Sequence, residues 1–485
     1  MADNKKICFI TYVDNEDIYK ETLLYIKNLN VPEGYQIETL CIKNVESITK
    51  AYNKGIQDSD AKYKVYIHED VFIINKNLIK NFMSIFENNN NVGMIGVLGS
   101  KTIPTSGIWN KSKHKYGKVY DNQTGKLELL QFNEIEDEYE SVKAIDSLIM
   151  ITQYDIPWKE TIFDGHCFYD ISQSLEFTKS GYKVVIPKQD EPWCIHECGA
   201  THINDENEKY RKIFLGNYSK DIFPLVSIFV EACGRISYFK TALDSVVNQT
   251  YKNIEIIVID RSLNNECKEI TKPYLKKYPN IKYYKCNIFQ DTNILNTLLK
   301  LSSGEYISYI SDTDIYHKDR INIMINYFLE CDNVSLVTSY RELIDAEGKQ
   351  LKNSDIPRKL FDKSSITKGN FMFNLILKKI SDVIDEIISP LFSRKIIENI
   401  EKDIQNSKFG IYKEKQDKII ANLLTWISTI DKEKVIYISD PLSYFRVHDI
   451  RDQRKINTIL HKILEHLINK NDEIKNEQYS VSIKE

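Results

Sequence analysis

No apolar run in the 485 residues approaches the ~20 needed to cross a bilayer, so no membrane-spanning helix is expected. The opening residues, MADNKKICFITYV, lack both the apolar stretch and the small-residue cleavage site of a signal peptide. Nine cysteines, an odd number without framework spacing, argue against a disulfide scaffold and for a reducing compartment. A cytoplasmic location follows as the expectation. Charge of one sign is also lacking. The 65 Lys and Arg stand against 69 Asp and Glu, and a net charge of −4 with both signs dispersed argues against a dedicated nucleic-acid binder. The excess of Asn, Lys and Ile reads as nucleotide bias of the source genome.

What is present is a soluble globular composition, 42% hydrophobic and 28% charged, on a chain too long for one ordinary domain. The chain repeats itself. Near residue 226 it reads VSIFVEACGRISYFKTALDSVVNQTYKNIEIIVIDRS, a strand, a loop, an amphipathic helix and a second strand ending at Asp260. Near residue 7, ICFITYVDNEDIYKETLLYIKNLNVPEGYQIETLCIKN repeats that order at similar lengths. The echo continues in AYNKGIQDSDAKYKVYIHEDVF, with Asn53 on a short helix 17 residues before Asp70. In ILNTLLKLSSGEYISYISDTDIY, Asn296 stands 16 residues before Asp312 and 18 before Asp314.

Strands alternating with helices predict βαβ units and a mainly parallel sheet. The expected fold is therefore α/β, with two tandem Rossmann-related domains. The boundaries are 1–215 and 225–455, joined by a charged linker or connecting helix at 216–224 that ends at Pro224. Residues 456–485 read as an amphipathic helix (Ile459, Ile463, Leu464, Leu467) running into a flexible tail.

The stretch GEYISYISDTDIYHKDRI, Gly304 to Ile321, carries an apolar strand into Asp312-Thr313-Asp314. Ligands of open α/β sheets bind at the carboxyl ends of strands. Carboxylates at i and i+2 of an extended segment point the same way and suit Mg²⁺ or Mn²⁺, leaving other positions to water and phosphate. The plainer reading is a solvated turn. Together with LVSIFV…ALDSVVNQTYKNIEIIVID and the spacing between them, this stretch resembles the family 2 glycosyltransferases, whose nucleotide-sugar-binding half has the GT-A fold. The resemblance spans 221–455. It implies that Asp312 and Asp314 match the DXD motif that holds the cation and the sugar-nucleotide diphosphate. Asp260 matches the aspartate at the base or ribose.

GIYKEKQDKIIANLL resembles the helix carrying the catalytic base of inverting members, which implies Asp417, with Glu414 as runner-up. An exposed helix charge is the alternative for both. ISPLFSRKIIENI resembles the segment after the acceptor loop. YFRVHD resembles the late Tyr-Arg-x-His element, which implies a nucleotide contact from Arg446 and a cation or diphosphate contact from His448. Two departures touch the nucleotide pocket: EACGR (Glu231 to Arg235) replaces Pro-x-Tyr-Asn, and Arg261 replaces the second aspartate of an Asp-Asp pair.

Residues 1–215 resemble, more distantly, another glycosyltransferase-like branch of the same superfamily, through AYNKGI, YIHEDVFI, TIFDGHCFYDISQSLEFTKSGYKVVIPK and WCIHECG. His68-Glu69-Asp70 takes the DXD place, with Asp70 as the cation ligand, and Asn53 and Asn296 mark matched nucleotide-side positions of the two halves. Asp164 and His166 would face the sugar, with Asp170 the base, although Ser172 stands where the family shows a further carboxylate. WCIHECGATH has three readings: His196 as ligand to the cation or diphosphate, a structural zinc site through Cys194, His196 and Cys198, or core packing.

The expected function is a metal-dependent, inverting glycosyltransferase. It would move sugars from nucleotide sugars, UDP-sugars first, to a protein, a glycan or a surface-polysaccharide precursor. Two domains allow two successive transfers, with the oligomeric state open. The alternatives are one catalytic domain beside an acceptor-binding module, or a scaffold without activity. A nucleotidyltransferase would need a Gly-rich basic loop after the first strand, and neither TYVDNED nor EACGRIS supplies one.

Overall fold

The computed structural model describes residues 3–197, 205–286, 294–351, 359–369, 371–372, 390–405 and 433–447. Asp417, Glu414, His448, Cys198 and the tail 456–485 lie outside the described residues, and Asn296 is placed through its backbone alone. The chain divides into two units, Met1–Ser219 and Lys220–Glu485.

The N-terminal unit opens with β1 (Asp3–Tyr12), α1 (Glu16–Lys27), β2 (Gln36–Ile42), α2 (Ile48–Asp58) and β3 (Ala61–Ile67). It continues through β4 (Val71–Ile73), α3 (Leu78–Asn88), β5 (Val92–Gly96), β6 (Leu98–Ser100), β7 (Lys115–Asp121) and β8 (Glu128–Gln131). β9 (Tyr139–Val142), β10 (Ala144–Ile145), β11 (Ile149–Thr152), α4 (Tyr169–Lys179), β12 (Lys183–Pro187), β13 (Cys194–His196) and α5 (Asp205–Ile222) follow.

The main sheet has the order β2-β1-β3-β11-β5-β12-β9, and β1 pairs in parallel with both β2 and β3. Ile7 to Ile10 of β1 are fully buried, as a central strand covered on both faces requires. Beyond β3 the sheet is mixed, because β11 enters antiparallel between β3 and β5. A second sheet, β10-β6-β7-β13-β4, carries β8 on β7. Its pairing of β13 with β4 lays His196 opposite Val71, next to Asp70.

α5 runs through most of the expected linker. Tyr210, Phe214 and Tyr218, spaced i, i+4, i+8, are buried along one stripe against Phe163 and Phe168. Pro224 follows just past its end, where a helix cannot continue. The Tyr251 hydroxyl and the Asn253 amide donate to the Pro224 and Phe223 carbonyls at 2.5 and 2.8 Å.

The C-terminal unit repeats the opening: β14 (Val226–Ala232), α6 (Ile236–Val247), β15 (Ile254–Asp260), α7 (Glu266–Lys277), β16 (Ile281–Lys285), α8 (Ile294–Leu301) and β17 (Tyr306–Ile310). Then come β18 (Ile315–Tyr316), α9 (Arg320–Glu330), β19 (Val334–Ile344), β20 (Ser365–Lys368), β21 (Leu391–Ser393), α10 (Arg394–Gln405) and β22 (Lys434–Arg446). The sheet order is β16-β15-β14-β17-β21-β19-β22-β18, with β14, β15, β16 and β17 parallel and β20 on β22. Strand order therefore reverses between β1 and β3 in one unit and between β14 and β17 in the other. In open α/β sheets such a reversal opens a crevice at the carboxyl ends.

Gly304 explains the start of the stretch that leads to Asp312. A Cβ there would fall 2.5 Å from Ser227 Oγ and 2.8 Å from the Leu225 carbonyl, so only glycine lets β17 begin this close to β14. No helix among the described residues is long and apolar enough to cross a membrane.

Candidate functional site

Both reversal points are closed by an acid that accepts backbone N–H groups from the turn after the first strand. In the N-terminal unit it is Glu69, whose Oε2 accepts from the Asp14 and Asn15 amides at 2.8 and 2.9 Å. In the C-terminal unit it is Asp312, whose Oδ2 accepts from the Cys233 amide at 2.9 Å. The second acid behaves differently in the two units.

Asp70 is partly buried, and its Oδ1 is shut off from solvent with no hydrogen-bond partner, an uncommon state for a carboxylate oxygen. His68 Nδ1 lies 3.9 Å from that oxygen, and His196 Nε2 lies 3.7 Å from Oδ2. His196 is held from behind, its Nδ1 2.8 Å from Asp121 Oδ2. The parallel pairing of β7 with β13, which sets Asp121 opposite His196, creates that contact. An imidazole fixed by a carboxylate on one nitrogen presents the other as a donor to metal. Among the described residues no three His, Cys, Asp or Glu side chains close around one point. The fit is to an ion that takes one or two protein ligands and completes its shell with water and phosphate oxygens, as Mg²⁺ and Mn²⁺ do. For the zinc reading, no cluster of three ligands closes around Cys194 and His196 among the described residues, and Cys198 lies outside them.

His68, half-buried beside Tyr169, is pushed down to about 4 by desolvation and stays neutral at neutral pH. Its Nε2 lies 2.6 Å from the Tyr169 hydroxyl. Next along α4, Asp170 is pushed up to about 7, by burial first and then by the charge of Asp146. Asp170, His166 and Cys167 line a cavity of about 180 Å³ together with Trp109 and Asn207. Phe168 between them adopts φ +66°, a left-handed conformation that a bulky residue rarely takes and that costs ~1–3 kcal/mol. Asp164 is not part of that lining. It lies exposed and accepts from the Tyr210 hydroxyl, which holds its carboxyl below the usual range.

Asn53, expected at the nucleotide, has another task. Its amide donates to the Trp158 carbonyl at 3.0 Å and to Glu160 at 2.6 Å, and its oxygen accepts from the Trp158 amide at 2.8 Å. With donors and acceptor engaged, Asn53 fixes Trp158 in an aromatic cluster with Tyr52, Tyr66 and Tyr169, centroids 4.9 to 6.2 Å apart.

In the C-terminal unit Asp260 is wholly buried. It accepts from the Ser262 amide and hydroxyl at 2.8 and 2.6 Å, from Tyr283 at 2.5 Å and from Lys285 at 3.0 Å. Desolvation opposes its charge, but these donors outweigh it and hold the carboxyl below its usual range. Asp312 and Asp314, expected as cation ligands, face arginine instead. Arg235 Nη1 donates to Asp312 Oδ1 at 3.3 Å, and Arg341 Nη2 donates to Asp314 Oδ2 at 2.9 Å. Asp314 and Arg341 are both buried, and the guanidinium lies 4.7 Å from the centroid of the Phe445 ring.

Arg446, expected at the nucleotide, braces this turn. It donates to the carbonyls of Thr313 at 3.3 Å, Asp345 at 2.8 Å and Ala346 at 2.7 Å, and stacks over Tyr238.

Sequence reasoning missed Asp121, Asp146 and Arg341. Asp121 and Arg341 join the sites only through strand pairing, and Asp146 through its charge acting on Asp170, so no local motif marks any of them.

Comparison with known proteins agrees with the geometry. Residues 8–218 match the family described as "Glycosyltransferase like family", and residues 227–419 match "Glycosyl transferase family 2". An uncharacterized glycosyltransferase of Rickettsia prowazekii is 33% identical over 134 residues, 26% of this chain and 40% of that protein. The glycosyltransferase GlyA of Streptococcus pneumoniae is 24% identical over 225 residues, 46% of this chain and 30% of that one. The chain thus spans 20 to 40% of the length of the first curated relatives it matches. Among solved structures, S. aureus TarS 1-349 in complex with UDP-GlcNAc aligns at 13% identity and TM-score 0.37, over 51% of this chain and 67% of that one. One family match falls in each α/β unit, so the chain matches two glycosyltransferase families in tandem, a glycosyltransferase-like region followed by a family 2 region.

Proposed function

We propose that this chain transfers a sugar from a nucleotide sugar to an acceptor hydroxyl, and that the N-terminal unit does so with Asp70 and His196 as holders of a divalent cation. The observation that carries the reading is the buried, unpartnered Asp70 Oδ1 beside an imidazole already oriented by Asp121. A bound Mg²⁺ or Mn²⁺ would supply charge stabilisation for the leaving diphosphate. The chain's own groups do the rest. Asp170, titrating at about 7 on the wall of a cavity large enough for a small polar group, is poised to accept the acceptor's proton at neutral pH. The Phe168 turn and the Trp158 cluster hold that carboxyl in place. Attack on the face opposite the diphosphate inverts the anomeric centre.

UDP-sugars are the first donors to test, because the TarS neighbour carries UDP-GlcNAc. A protein, a glycan or a surface-polysaccharide precursor suits as acceptor, and the cytoplasm as location. Asp417 or Glu414 would serve as base for a second transfer in the C-terminal unit. The test is a panel of nucleotide sugars screened for cation-dependent nucleotide release by the full chain. Release from at least one donor is expected, and no release from any donor with Mn²⁺ or Mg²⁺ present would overturn the proposal.

A second reading, one catalytic unit beside a binding module, is favoured by one observation. The C-terminal acids are already neutralised by Arg235 and Arg341.

A further inference from the structure

We propose that the C-terminal unit binds the diphosphate of a nucleotide without a divalent cation, using the guanidinium groups of Arg235 and Arg261. The inference rests on the reading of the chain as a nucleotide-sugar enzyme and separates its two units chemically.

The first ground is that the acids there do not fit a cation. Asp312 is 0% exposed, and each of its carboxylate oxygens already accepts a hydrogen bond, one from the Cys233 amide and one from Arg235. Asp314 is 2% exposed and bound to Arg341, itself 1% exposed. An entering cation would have to break this buried ion pair, which is strongly unfavourable. Asp70 differs on this point, since one of its oxygens has no partner to displace.

The second ground is where the positive charge sits. Arg235 follows β14 and Arg261 follows β15, so both stand at carboxyl ends of strands beside the reversal of strand order. Gly234, with φ +94°, turns the chain between Cys233 and Arg235 and delivers that side chain to Asp312. The two side chains are 45% and 31% exposed, and each is anchored by one carboxylate. Arg261 Nε lies 3.4 Å from Glu231, and Arg235 Nη1 lies 3.3 Å from Asp312. A guanidinium has five N–H donors in a planar fork. One anchored donor leaves the others for an anion, in the geometry that suits phosphate oxygens. Cys233 lies within electrostatic reach of both guanidiniums, so the two charges act on one region.

The third ground is how the sequence departures meet. EACGR and Arg261 replace the pattern expected of the family in separate places. In the structure Glu231 of the first faces Arg261, and Arg235 of the first faces Asp312. The substitutions compensate one another and exchange a site for a bound cation for one with fixed cations.

The test uses the full chain carrying Asp70→Asn, which removes the cation anchor of the other unit. Binding of UDP and GDP is measured by equilibrium dialysis in excess EDTA and in excess Mn²⁺. One nucleotide per chain is expected to bind in EDTA, with affinity changed less than about threefold by Mn²⁺. Adding Arg235→Gln and Arg261→Gln should weaken it at least about tenfold, ~1.4 kcal/mol. Adding Asp312→Asn instead should preserve or tighten binding, because Arg235 is then released to the anion, whereas a cation site would be abolished. If Asp312→Asn does not fold, the EDTA comparison decides alone. Binding that appears only with Mn²⁺ overturns the inference, as does EDTA-resistant binding indifferent to both arginine substitutions. Absence of nucleotide from this unit under either condition also overturns it. That result leaves the proposed function standing wherever the unsubstituted chain still binds one nucleotide with Mn²⁺ through Asp70.

Discussion

Asp170 sits in the first turn of α4 with its carboxyl pushed up to about 7 by burial and by Asp146. As a base it works only when ionised, so transfer by the N-terminal unit should rise with pH through about 7 and level off above it. Asp170→Asn should remove that limb and cost roughly 100- to 10,000-fold in kcat. The same shift bears on stability. The fold disfavours the ionised form, so the contribution of Asp170 falls as pH climbs from the ordinary carboxylate value of ~4 and keeps falling until about 7. Asp170→Asn should therefore raise the melting temperature above pH 7, by an amount equivalent to up to a few kcal/mol, and leave it unchanged near pH 3. Thermal melts at the two pH values decide this.

Asp121 belongs to the same scale. Asp121→Asn weakens the hold on the His196 ring and should lower Mn²⁺ affinity about 10- to 100-fold in a titration of the nucleotide-bound chain. Asp70, His196 and Asp170 were legible in the sequence because each sits in a stretch whose local pattern has a chemical meaning. Asp121 was not, since 75 residues separate it from His196 and only tertiary strand pairing brings them together.

At the scale of elements, the parallel openings of both units were readable from apolar strands alternating with amphipathic helices. β1, α1 and β2 of the first unit reappear as β14, α6 and β15 of the second. The second sheet of the N-terminal unit was not readable. β4, β6 and β13 are three residues long, too short to show a period of two, and their partners come from distant parts of the chain. Those strands nevertheless carry His196 to Asp70. The start of β17 offers a clean test of element packing. Gly304→Ala would set a methyl 2.5 Å from Ser227 Oγ and 2.6 Å from the Ser227 nitrogen. Destabilisation of ~1–3 kcal/mol is expected in chemical denaturation of the full chain. An unchanged midpoint would mean that β14 and β17 separate more readily than their packing implies.

At the scale of the whole molecule, the fold repeats while the partners of the strand-end acids do not. Equivalent reversal points hold an acid bound by turn amides, Glu69 or Asp312, but the neighbouring carboxylate is unsatisfied in one unit and bound to a buried arginine in the other. The sequence showed the departures EACGR and Arg261 without showing that they face Glu231–Arg261 and Arg235–Asp312 across the site, because pairing between strand ends is a property of the folded sheet. The central claim is that Asp70 anchors the cation for sugar transfer. The most direct measurement is the turnover of a nucleotide-sugar donor that releases nucleotide with Mn²⁺, compared between the unsubstituted chain and Asp70→Asn. The account predicts a loss of roughly a thousandfold for the donor used by the N-terminal unit, the several kcal/mol that an unscreened leaving diphosphate would cost. Undiminished turnover of every donor by Asp70→Asn would contradict it.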